Sequence, residues 1–130
     1  MDTVAIGVVM AIQDFPYSHL TRKDVVGIPL YGLKKPVTPN IHLCEVMQGH
    51  APQTIQDTIK DAPCLVTAGD YLLVASGLGD TVRSAARAAY RTMKKVEVPN
   101  SPFWRPDIGQ RLEKQLPTIQ AKGFAKGLVY

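Results

Sequence analysis

Residues able to do chemistry are few in this chain. Gly77-Leu78-Gly79-Asp80 lies between an apolar β-type run and an alanine-rich helical stretch, the layout in which a helix N-terminus cradles a phosphate. Val82, however, stands where the third glycine of a dinucleotide fingerprint belongs, and Asp80 puts a carboxylate where the phosphate would sit. A tight turn with Asp80 as helix cap is the better account. The phosphate loop ending in Gly-Lys-Ser/Thr is absent. His19, His42, His50, Cys44 and Cys64 are of metal-ligating type, but no pair has zinc spacing; His42 and Cys44, two apart on one strand face, come nearest. No metal site is expected. Ser76 precedes Gly77 without a nucleophile elbow, and the sequence nominates no histidine or acid partner for it.

Arg83, Arg87, Arg91 and Lys94 recur at helical spacing and form a basic stripe. Such a stripe is ordinarily solvated; docking to an acidic neighbour or binding an anion are the alternatives. Phe103-Trp104-Arg105-Pro106 places two aromatics beside an arginine whose planar fork suits a carboxylate or phosphate. In extended chain the two rings point to opposite sides, so one joins the core and the other meets a surface groove or an interdomain seam. Phe15-Pro16 in a turn-like stretch reads either as a clasp on the core or as a loop facing substrate or partner.

These residues need elements to hold them. Thr3 to Ile12 reads as a buried strand. Asp24 to Leu33, broken by Gly27, Pro29 and Gly32, suits short extended pieces, and 34–40 a loop. Ile41 to Met47 reads as a strand, and Gly49 to Pro52 as a turn; Gln53 to Asp61 stays open between strand, short helix and excursion. Pro63–Thr67 and Tyr71–Ser76, linked by Ala68-Gly69-Asp70, carry a hairpin signature. A helix follows from Thr81 to Lys95, with Val82, Ala85, Ala86, Ala89, Tyr90 and Met93 on one face. Val96 to Val98 suits a short strand. A second helix is expected from Asp107, with Asp107 as its cap paired to Gln110, with Ile108, Leu112, Leu116 and Ile119 apolar, and with Pro117 ending or kinking it. The tail from Ala121, with two glycines, is expected to order on docking.

With 130 residues, 45 % hydrophobic and 20 % charged, the chain suits one domain spanning 1–130, too small for a nucleotide lobe as well as a substrate lobe. A net charge of +4 permits anionic partners without demanding nucleic acid. Two cysteines without framework spacing suit a reduced, cytoplasmic setting. No apolar run is long enough to span a bilayer, so no membrane partner is expected, and the N-terminus does not read as a secretion signal.

Two stretches carry a family resemblance: Thr67 to Val82, continued by Ala85, Ala89 and Tyr90, and Phe103 to Arg111. In order and spacing they resemble the C-terminal domain of phosphoribosylamine–glycine ligases, which has a glycine-rich hairpin and strand, Gly-Asp-Thr opening an alanine-rich helix that ends near a tyrosine, and then an aromatic-Arg-basic-Asp-Ile/Val-Gly motif. Val8 to Ala11 with Phe15-Pro16 resembles that domain's first strand and its aromatic-proline loop. The resemblance spans roughly residues 4–112, loosely from Pro29 to Ala62, and Pro106 departs from it by replacing the basic residue.

The resemblance implies an α+β fold: a small, mainly antiparallel sheet of five or six strands with two helices, like the C-terminal (rudiment single hybrid) domain of ATP-grasp ligases. It implies a parent with an N-terminal domain and two ATP-grasp lobes, which are this domain's partners. There ATP with magnesium or manganese activates glycine as an acyl phosphate for attack by phosphoribosylamine, in purine synthesis. This chain would hold no cofactor and no catalytic residue, and would be inactive alone. Arg105, Trp104, Phe15 and Pro16 would face substrate or the interdomain seam, with a phosphorylated small molecule within reach. Two other classes stay open: a free-standing binding module of this fold without ligase activity, and a basic nucleic-acid-binding domain.

Overall fold

The computed structural model describes residues 3–12, 25–99 and 102–128. Among them the chain forms five strands, β1 (Val4–Ala11), β2 (Ile41–Leu43), β3 (Val46–Ile55), β4 (Thr58–Thr67) and β5 (Tyr71–Gly79), and two α-helices, α1 (Val82–Met93) and α2 (Gln110–Ala121). The strands make two antiparallel sheets, one ordered β1-β5-β2 and the other β3-β4. This is the small α+β architecture expected.

Alternation builds the core. Val4, Ile6, Val8 and Met10 of β1 point to one face and are buried, while Ala5 and Gly7 face out. Leu73 and Ala75 of β5 join them, since Met10 pairs with Leu73 and Val8 with Ala75. Onto this face α1 lays Val82, Ala85, Ala89 and Met93, all buried. Three- and four-residue spacing brings these side chains onto one stripe, as the sequence predicts. Gly77 and Gly79 are where helix and strand meet: a Cβ on Gly77 would collide with the Ala85 carbonyl and the Ala89 amide, and one on Gly79 with Ser84. The glycines therefore lie within β5 and permit close strand–helix packing; they form no phosphate loop. Leu116 of α2, fully buried, completes the core and by burial alone contributes about 1.5–3 kcal/mol.

The hairpin expected between residues 63–67 and 71–76 is a corner instead. β4 pairs with β3, and β5 pairs with β1 and β2. Ile41 to Ile55 and Thr58 to Gly79 form one long hairpin, bent at the waist. On one arm the bend is Cys44-Glu45; on the other it is Ala68-Gly69-Asp70, between the pairs Val46–Thr67 and Leu43–Leu73. Glu45 holds the corner. Its backbone N–H donates to the Tyr71 carbonyl, its carbonyl accepts from Ala68 N, and its carboxylate accepts from Tyr71 N at 2.8 Å. A Cβ on Gly69 would strike that carboxylate, which accounts for the glycine. The turn of the hairpin is Gln56-Asp57, both at positive φ (50° and 61°), the geometry of a two-residue type I′ connection.

Gly49 to Pro52 is thus strand and not turn, and 53–61 is strand and turn. Pro52 and Pro63 obscured this. A two-stranded ladder leaves one side of each strand without a partner strand, and proline is tolerated where its missing donor faces away; the Pro52 carbonyl turns to the Tyr31 hydroxyl, 3.0 Å away. The extended pieces at 27–30 lie along the inner end of β4, with Thr67 buried between: its hydroxyl donates to the Val25 carbonyl at 2.6 Å and accepts from Ile28 N at 3.0 Å. Glu97 makes a single bridge to Tyr31 where a short strand was expected. Past Ala121, the Gln120 amide donates to the carbonyls of Ala125 and Leu128 and folds the tail back on the domain.

Candidate functional site

The segment 102–114 draws most of the chemically interesting residues onto α1. Phe103 pairs with Ala11 through two backbone hydrogen bonds of 2.8 and 3.0 Å, so the segment begins as an extra strand piece beside β1. Trp104 then turns inward and packs half-buried on the core, while Phe103 keeps 38 % of its surface exposed. The two rings part to opposite sides as extended chain demands, and it is Trp104 that serves the core.

Arg105 and Asp107 form one closed unit. Arg105 donates to both carboxylate oxygens of Asp107, Nε at 3.0 Å and Nη2 at 2.8 Å. This bidentate hydrogen bonding raises the Arg105 pKa and holds the Asp107 carboxyl below the ordinary carboxylate range. The fork that the sequence left free for a ligand is engaged by a carboxylate two residues away. Asp107 is correspondingly not the helix cap: α2 opens at Gln110 with Gly109 as N-cap, at φ 94°, and no side chain caps it. Only Gly adopts that conformation readily, and a Cβ there would press on Ile6 and Val82. Asp80 is likewise not the cap of α1. Thr81 is, in a reciprocal box in which its hydroxyl accepts from Ser84 N at 3.0 Å and Ser84 Oγ accepts from Thr81 N at 3.1 Å. A threonine hydroxyl paired to a serine three residues on satisfies two amides, which Asp80 one residue earlier does not. α2 also runs through Pro117: the ring lies exposed while Leu116 and Leu112 hold the helix on the core.

Tyr90 is the residue that sequence reasoning undervalued. Its hydroxyl donates to the Arg105 carbonyl at 2.6 Å and accepts from Ile108 N at 3.0 Å. One α1 side chain thereby clamps both ends of the Arg105–Ile108 turn. The only sequence signal was a tyrosine on the apolar face of the helix, which reads as packing.

The clamp creates a groove of about 400 Å³ between α1 and the start of α2. Its apolar floor includes Val82, Ala86 and Ile108, and Arg87, Gln110 and Lys114 supply polar groups. At one end Arg83 and Glu113 close it with a 2.8 Å ion pair. Two members of the basic stripe, Arg83 and Arg87, therefore line a groove, while Arg91 and Lys94 do not. A wider groove of about 790 Å³ lies between residues 30–34 and the β3–β4 hairpin, where Tyr31 and Gln53 are engaged by the carbonyls of Pro52, Ala62 and Pro63.

The remaining candidates do not converge. Phe15, Pro16 and His19 lie outside the described residues. His42 Nε2 sits 3.0 Å from Ser76 Oγ, a partner for Ser76 that the sequence did not reveal because the two meet only through the β2–β5 pairing. No carboxylate is among the described hydrogen-bond partners of His42, so the contact ties an edge strand to its neighbour and shows no triad. Cys44 and Cys64 are free thiols. Among the described residues no group of three His, Cys, Asp or Glu side chains is placed to hold a metal ion. No helix among them is long and apolar enough to cross a membrane.

Fold and site together define a small α+β domain of two antiparallel sheets, with a basic groove where its two helices approach. No family model matches the chain. Its sequence is similar to phosphoribosylamine–glycine ligases: 32 % identical to that of Ralstonia nicotianae over 107 residues, 82 % of this chain and 21 % of that protein. It is 31 % identical to that of Salmonella typhimurium over 113 residues, 85 % of this chain and 22 % of that protein. The chain spans about a fifth of the length of these curated relatives and is a divergent relative of one portion of them.

Proposed function

We propose that this chain serves as the C-terminal, substrate-side domain of a phosphoribosylamine–glycine ligase-like protein of purine synthesis, and that it is inactive alone. The observation that carries this reading is similarity over more than four-fifths of the chain to a portion of two such ligases. The Tyr90 clamp supports it. It gives a structural reason for the run from Phe103 to Arg111 to recur with the alanine-rich helix: the two are one packed unit. In this reading ATP, its divalent cation and the acyl phosphate belong to the rest of the parent. This domain packs against its N-terminal part and walls the substrate side, in a cytoplasmic setting.

The test is reconstitution. A Salmonella typhimurium ligase lacking its matched portion is mixed with this chain, and ATP- and glycine-dependent consumption of phosphoribosylamine is measured. Restored turnover, with no ATP hydrolysis by the chain alone, is the expected result. A truncated ligase that neither binds the chain nor regains turnover, while regaining it with its own excised segment, overturns the proposal.

A further inference from the structure

We propose that the outer edge of β1 pairs, antiparallel and about a two-fold axis, with the same edge of a second copy of this chain. The inference rests on the backbone of β1 and goes beyond the parentage proposed above. Ala11 turns its N–H and C=O away from β5, toward Phe103. Backbone groups alternate sides along a strand, so those of Val9, Gly7 and Ala5 face the same way. None of these three has a partner on that side among the described residues. Ala5 and Gly7 are exposed and Val9 is half-buried. The other edges among the described strands are blunted. β2 has only 3 residues. β3 and β4 carry Pro52 and Pro63, β4 adds the charges of Lys60 and Asp61, and its inner end is taken by residues 27–30. Short length, proline and charge are the devices that keep edges from pairing. β1, 8 residues long, has no proline and no charge.

The occupant is a second copy because the edge is complementary to itself. Phe103 already fills the place beside Ala11, so the open outward positions are those of Ala5, Gly7 and Val9. An axis through Gly7 sets Gly7 against Gly7, and Ala5 against Val9 of the second copy. Each such pair exchanges two hydrogen bonds, about six across the seam. In this register the copy's strand begins at Val4, opposite Met10, and stops short of Phe103. Glycine inside a strand marks a close approach by another backbone. Within its own chain, a Cβ on Gly7 would come near only Val74 Cγ1, at 3.2 Å. The side chains agree with the backbone. Ala5 pairs with Leu78, and Val9 with Val74, on the sheet face away from α1. Leu78 is 67 % exposed, and the pairing brings Val9 of the second copy into its row across the small Ala5. Two 3-stranded sheets thus become one, with no charged residue in the seam.

The experiment is sedimentation velocity of this chain from about 10 µM to about 1 mM, joined to amide hydrogen exchange at both ends of that range. A seam one strand deep is small, so a reversible passage from monomer to dimer with concentration is expected. Exchange at Ala5, Gly7 and Val9 slows as the dimer forms, while that at residues 53–60 does not change. Gly7→Lys and Gly7→Glu each set like charges directly opposite on the axis, and each alone is expected to dimerise at least about tenfold more weakly. An equimolar mixture of the two regains the dimer, Lys against Glu. Ala5→Pro removes one outward donor and no bond to β5; it weakens the dimer too, and decides the matter if a charge at Gly7 unfolds the chain. A chain monomeric over the whole range, a dimer without slowed exchange at the three amides, folded variants that pair like the parent, or a mixture of folded variants that stays monomeric each overturn the proposal. None of these outcomes bears on reconstitution of the ligase.

Discussion

At Tyr90 a single phenolic oxygen is both donor and acceptor, and it fixes a turn with no regular backbone pairing of its own. Tyr90→Phe keeps the packing and removes both bonds, leaving Ile108 N–H without its partner. A loss of about 1–3 kcal/mol in urea unfolding is expected, with the largest NMR shifts at residues 105–109. A few residues on, Arg105 and Asp107 yield a pH-dependent consequence. Hydrogen bonding from Arg105 lowers the Asp107 pKa in the folded chain. Any stability it contributes is therefore complete above the ordinary Asp value of about 3.9 and is lost as pH falls through the lower folded value. Both side chains are substantially exposed, so the contribution is small and screened by salt. NMR titration of the Asp107 carboxyl is expected to give a midpoint below the ordinary value in the native chain and a return toward it in Arg105→Ala. An unchanged midpoint in the variant would show that the pairing does not exist in solution.

At the scale of elements, α1 is specified twice over, by its apolar stripe and by its cap. The cap prediction separates two neighbouring residues. Thr81→Ala breaks the reciprocal box with Ser84 and is expected to cost about 1 kcal/mol. Asp80→Ala touches none of these bonds and is expected to stay within about 0.5 kcal/mol of the parent. Thermal unfolding of the two variants side by side decides between them. The long hairpin shows the converse, an element that local sequence hides. Its prolines look like turns, its true turn is Gln56-Asp57 without glycine, and its glycine at 69 is a corner. Local composition reports backbone freedom and not which strands pair, so the same Ala-Gly-Asp suits a hairpin tip and a bend equally.

Across the whole molecule, burial is uneven. β1, β5 and α1 share one core, while β3 and the outer half of β4 carry mostly exposed residues, Ile59 at 75 % exposure among them. Local opening costs least where little apolar surface is buried and a ladder has only two strands. Hydrogen exchange is therefore expected to be fastest at residues 53–60 and slowest at the centre of β5, near the rate of global unfolding. Equal protection at the two sites would show that the hairpin tip is held by more than its own ladder.

The sequence by itself determined the strand at the N-terminus, the stripe of α1, the apolar positions of α2 and the likeness to a portion of phosphoribosylamine–glycine ligases. Each is written in spacing or in short runs of residues, and spacing decides which side of an element is apolar whatever lies opposite. Only the tertiary structure decided which strands pair, that Arg105 closes on Asp107, that His42 meets Ser76 and that Tyr90 clamps the Arg105–Ile108 turn. The Tyr90 and His42 contacts join residues 15 to 34 positions apart, and β1 pairs with β5 across a still longer stretch of chain. Arg105 and Asp107 are near neighbours, but the conformation of the turn selects their pairing over a cap. Such contacts leave no periodic trace, and it is they that turn a basic stripe into a groove.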